Sequence, residues 1–118
     1  MIRTKAVERY LEQATQNGVK GAILFDKDGR IVARAGSGSH DSILAVFTAK
    51  LWESFDRQGS RDRLREIELQ NSNHILMAAR VVTMIMAVVV EKDQPTAVAK
   101  AKLNRLVEDL REPMSIFC

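Results

Sequence analysis

Ser39, His40 and Asp41 stand side by side and carry the side-chain types of a nucleophilic relay. A His-Asp pair works only beside an activated nucleophile and an oxyanion site, and Ser39 reads as ordinary loop composition, so the trio predicts no catalysis. Just before it, Gly36-Ser37-Gly38 sits between a strand-like and a helix-like stretch, where phosphate-binding loops occur. The third glycine and the Gly-Lys-Ser/Thr signature are missing, and Asp41 would place a carboxylate where the phosphate must sit. Glu66 and Glu68 are two residues apart on a predicted strand and share one wet face, as on a solvated edge. His74 follows a turn, far from His40, and the single cysteine, Cys118, is the last residue; no metal-ligand spacing results. No catalytic residue, cofactor site or metal site is expected.

Two further groups of residues suit recognition rather than reaction. From Asp41 or Ser42 to Arg57 the spacing predicts a helix with two apolar stripes: Ile43, Leu44, Phe47, Leu51 and Phe55 on one side, and Ala45, Ala49 and Trp52 nearly opposite. A small domain with one core needs one such face, so the second is free for a partner. Small residues at spacings of three or four let another backbone approach, and a tryptophan beside them is a typical interface anchor, which assigns the pairing face to Ala45, Ala49 and Trp52. The stretch Arg57 to Arg65 holds arginines at 57, 61, 63 and 65. Arg61, Arg63 and Arg65 are candidates for docking an acidic partner surface.

The flanking patterns supply a framework. Apolar residues at three- and four-residue spacing from Ile2 to Gln16 predict a one-faced helix, and Asn17-Gly18 can end it. Gly21 to Phe25 and Ile31 to Ala35 are short apolar runs separated by Asp26-Lys27-Asp28-Gly29, a hairpin signal. After the second helix, Glu66 to Gln70 alternates with period two, exposing an edge for backbone pairing. Asn71-Ser72-Asn73 is a turn. The apolar run from Ile75 to Val90 predicts two strands joined near Arg80 to Thr83, covered on both faces. Pro95 opens a last helix that Pro113 ends. The order is helix, strand, strand, helix, strand, strand, strand, helix. Hairpin-length connections make this an α+β fold: a five-stranded, mainly antiparallel sheet with helices on both faces.

Length and composition set the frame. At 118 residues and with 46% hydrophobic and 28% charged residues, the chain reads as one globular domain spanning 1–118. A net charge of +3 is too slight to imply a nucleic-acid partner, and 5% aromatic content gives few stacking platforms. No apolar run reaches the about 18 residues of a membrane span, and neither a signal peptide nor an N-terminal acylation glycine is visible; direct membrane insertion is not expected.

The element order, with Lys5-Ala6-Val7, Gly18-Val19, Gly29-Arg30-Ile31-Val32-Ala33, Gly36-Ser37-Gly38, Leu51-Trp52-Glu53-Ser54-Phe55-Asp56-Arg57-Gln58-Gly59, Lys100-Ala101-Lys102 and Glu112-Pro113, resembles the roadblock/dynein light chain family over essentially Met1 to Pro113. The likeness is greatest to its adaptor branch in the Ragulator complex and weakest from Leu64 to Val82. It implies a profilin-like fold and a non-enzymatic module that pairs through its second helix and third strand, which adds Glu53, Asp56, Ile67 and Leu69 to the interface. It further implies another roadblock protein as partner, small GTPases on the resulting platform and a lipidated subunit that tethers it to the cytosolic face of late endosomes and lysosomes. The alternative it leaves open is a self-pairing regulator of a prokaryotic or motor-associated GTPase.

Overall fold

The computed structural model describes residues 4–15, 19–36, 41–57, 65–70, 74–91 and 96–117. Three helices, α1 (Thr4–Ala14), α2 (Asp41–Arg57) and α3 (Thr96–Phe117), accompany five strands: β1 (Val19–Asp26), β2 (Ile31–Gly36), β3 (Glu66–Gln70), β4 (His74–Val81) and β5 (Met84–Glu91). The sheet order is β2-β1-β5-β4-β3, and every neighbouring pair is antiparallel. The expected α+β architecture, with helices on both faces of a five-stranded sheet, is therefore the observed one. The turns expected at Asn17-Gly18 and Asn71-Ser72-Asn73, the loop at 37–40, Arg61, Arg63, Pro95 and Cys118 lie outside the described residues.

Period-two alternation sorts the strand side chains into two cores. Ala22 and Leu24 of β1 and Met86 and Val88 of β5 point to one side, where Val7 and Leu11 of α1 and Ala99, Leu103, Leu106 and Leu110 of α3 cover them. Ile23, Phe25, Ile85 and Ala87 point to the other side, together with Leu76 and Ala78 of β4, and there α2 is the only helix among the described residues. Two helices thus serve one face and one helix the other. Because a helix is about 10 Å across and strands are about 4.8 Å apart, α2 spans roughly two strands of five.

The turns are set by local chemistry. In the first hairpin one carboxylate oxygen of Asp26 accepts from the backbone N–H groups of Asp28 and Arg30, both at 2.9 Å. Gly29 closes the turn at φ 86°, and a Cβ there would lie 2.7 Å from the Val46 Cα, so the hairpin abuts α2 through a glycine. The β4–β5 turn is tighter: Val82 and Thr83 alone link the strands, and Val82 adopts φ 58°. That conformation favours glycine and is strained for a β-branched residue.

Candidate functional site

The two stripes of α2 are present, but the one turned inward is not the one expected. Ala45, Ala49 and Trp52, expected to face a partner, are buried against the chain's own sheet; Trp52 is only 2% exposed. Ile43, Phe47 and Leu51 are the free ones, at 66%, 53% and 36% exposure, with Leu44 and Phe55 half-buried beside them. The physical reason is that a sheet has two faces, each with its own core. Small residues allow close approach, and the backbone approached here is the sheet: Ala45 and Ala49 share one buried cluster with Ala78 and Ala87. Trp52 belongs to the same buried cluster.

Glu53 and Asp56 are exposed on the flank of α2 toward the two hairpin turns and are engaged within the chain. Glu53 accepts from the Arg57 guanidinium at 2.5 Å, and Asp56 from that of Arg80 at 2.7 Å. Arg80 also sits 5.8 Å from the Trp52 ring centroid, within cation–π range. These residues and Lys27 and Asp28 line a cavity of about 610 Å³ between the end of α2 and the hairpin tips. Its cations and carboxylates are balanced, so it does not present an anion site.

Ile67 and Leu69 of β3 are half-buried and pack toward the α2 core. Glu66 and Glu68 are exposed; Glu66 reaches Lys100 of α3 at 3.6 Å, and Glu68 accepts from the Gln70 side-chain amide at 3.3 Å. Among the described residues β3 is the outer strand, paired with β4 alone. The apolar outer stripe of α2 and the free edge of β3 therefore lie on the side of the sheet that one helix covers incompletely. Arg65 is exposed just before β3. The free face was already visible in the sequence as the Ile43-Phe47-Leu51 stripe; which stripe turns inward was not, because both are apolar and helically spaced.

Elsewhere the notable polar groups are structural. Tyr10 of α1 donates a hydrogen bond to Asp109 of α3, which also accepts from Arg105 at 3.2 Å. Burial, then the Asp109 hydrogen bond, pushes the Tyr10 hydroxyl up to about 12, while the same bond holds the Asp109 carboxyl below its ordinary range. Thr48, a fully buried residue of α2, has no hydrogen-bond partner for its hydroxyl among the described residues. No His, Cys, Asp and Glu cluster fit for a metal occurs among the described residues, and no described helix is long and apolar enough to cross a membrane.

An antiparallel sheet with two helices behind it and, before it, one helix whose outer face is apolar gives a domain of profilin-like shape. A sequence model of the Roadblock/LC7 domain matches residues 6–91, and the chain belongs to that family. The Ragulator complex protein LAMTOR2 homolog of Caenorhabditis elegans is 29% identical over 118 residues, covering 97% of this chain and 94% of that protein. Among solved structures, Myxococcus xanthus MglB superposes with a TM-score of 0.85 at 13% identity, over all of this chain and 96% of that one. Acanthamoeba castellanii profilin IA gives 0.71 at 14% identity, over 90% and 97%. Both structures share the fold. In sequence the chain is similar to a Ragulator complex protein.

Proposed function

We propose that this chain is a non-catalytic adaptor that pairs with another roadblock domain through the outer face of α2 and the edge of β3, the pair forming part of a platform for Rag-type small GTPases in lysosomal nutrient (TOR) and MAPK signalling. The observation that carries the reading is the exposed Ile43-Phe47-Leu51 stripe. Three large apolar side chains in line on one helix leave a contiguous patch that a partner's helix can cover. The platform and its location on late endosomes or lysosomes, through a lipidated tethering subunit, rest on the likeness to the Ragulator relative. Arg65, with Arg61 and Arg63 of the same sequence run, is the proposed docking point for an acidic partner surface. A second reading, a self-pairing roadblock protein that regulates a GTPase, draws support from the superposition with MglB over the whole chain.

Affinity purification of the tagged chain, with and without Phe47→Asp, tests the proposal. A buried unpaired carboxylate costs several kcal/mol, so the variant is expected to lose a roadblock subunit and the small GTPases together while keeping its own fold by circular dichroism. Undiminished recovery of both by the folded variant overturns the pairing face. Recovery of the chain's own untagged copy in place of another subunit favours the second reading.

A further inference from the structure

We infer that Glu68, at the centre of the edge strand, selects the partner across the pairing face: it disfavours a second copy of this chain and admits a strand that offers a basic or neutral residue opposite it. The inference rests on the pairing reading above and adds to it the chemistry of the partner. Two copies joined edge to edge along β3, with both α2 helices on the same side, are related by a two-fold axis normal to the sheet. Opposing residues then share a face, so each register is centred on a residue rather than between two.

Few registers exist on a strand of five residues. Centred on Glu68, all five pair and Ile67 meets Leu69 of the second copy, but Glu68 faces its own copy. Centred on Ile67, Glu66 faces Glu68 of the second copy twice. Centred on Leu69, the carboxylates separate and Glu68 faces Gln70, but a single Leu69–Leu69 contact replaces the two Ile67–Leu69 contacts. Every self-pairing register therefore either opposes glutamates or keeps at most one of the two apolar contacts of the full register. Directly opposite side chains have Cβ atoms about 5 Å apart, inside the about 8 Å Debye length at physiological salt, so the repulsion is felt. Glu66 is partly compensated by Lys100 at 3.6 Å, whereas the bond that Glu68 accepts from Gln70 is from a neutral amide. A partner strand with Lys, Arg or Thr opposite Glu68 and apolar residues on either side keeps the full register and converts repulsion to attraction or neutrality.

Sedimentation equilibrium on the full chain tests this with wild type, Glu68→Gln, Glu68→Lys, an equimolar mixture of wild type and Glu68→Lys, and Phe47→Asp. Glu68 is exposed, so its variants are expected to fold as wild type. Glu68→Gln should self-associate about threefold to fivefold more tightly than wild type, the size of one cross-strand pair. The mixture should associate more tightly than either component alone, an advantage that shrinks as salt is raised. Unchanged or absent self-association of Glu68→Gln, or a mixture no tighter than its components, overturns the selection. Phe47→Asp separates the two layers: association that survives it uses another face and defeats the pairing reading, while association that it abolishes but Glu68 does not tune defeats only the selection.

Discussion

Truncating Trp52 to alanine should damage the fold, and truncating Phe47 should not. The ring of Trp52 is 2% exposed, packed among Ile23, Phe25 and Ile85. Removing a buried aromatic costs about 3–5 kcal/mol, and losing the Arg80 cation–π contact adds about 0.5–1 kcal/mol. Against the about 5–15 kcal/mol of an ordinary domain that is about a quarter or more of the total. At a denaturant slope of about 2 kcal/mol/M, typical of small domains in urea, the midpoint should fall by about 2 M. Phe47 is 53% exposed with no described helix over it, so Phe47→Ala should shift the midpoint by no more than about 0.25 M, the share of a surface substitution. Far-UV circular dichroism reads both without relying on the single tryptophan, and repeating each curve at two protein concentrations separates folding from association. A Trp52→Ala protein with an unshifted midpoint and weakened association would refute the inward placement of that stripe and restore Ala45, Ala49 and Trp52 as the partner face.

Val82→Gly should raise stability by about 1 kcal/mol, because relief of the positive-φ strain exceeds the added chain entropy of glycine; an equal or lower melting temperature refutes it. Tyr10 is the only tyrosine, so alkaline absorbance titration follows it alone, and its midpoint should lie near pH 12, moving down part of the way in Asp109→Ala while burial maintains the rest. The sign follows from the raised value: the tyrosine's contribution to stability is complete below about pH 10 and is lost as pH rises toward about 12, so a midpoint at the ordinary value of about 10 would remove the α1–α3 link.

The legible parts of this protein were those governed by local rules. Asp-Gly at 28–29 specified the first hairpin because the turn needs a glycine at positive φ, and the apolar run from Ile75 to Val90 had to be strands covered twice. The division of that run at Val82-Thr83 followed from length, although valine gave no turn signal of its own. The orientation of α2 was illegible for a different reason. Periodicity reports that Ala45 and Phe47 belong to different faces, while the choice between faces depends on the sheet's surface, where Ala78 and Ala87 leave room for a close helix and Trp52. That surface comes from strands far along the chain. The reading that small residues plus tryptophan meant a partner assumed a single core, and the second core on the other face of the sheet removes the assumption. Arg80, which ties Asp56 and Trp52 together, gave no signal beyond a charge interrupting an apolar run.

The order β2-β1-β5-β4-β3 places the last strand to leave the ribosome in the middle of the sheet. Until β5 is available, β1 has only β2 and β4 only β3, so the nascent chain holds two separate hairpins, each presenting an inner edge of apolar residues with open backbone donors and acceptors. Docking β5 closes both edges in one step, pairing Ile23 with Ala87 on one side and Ala78 with Ala87 on the other. The domain is therefore indivisible: a chain that stops before Met84 keeps most of its apolar residues and loses the strand that joins them, which makes truncation products prone to aggregate rather than merely less stable.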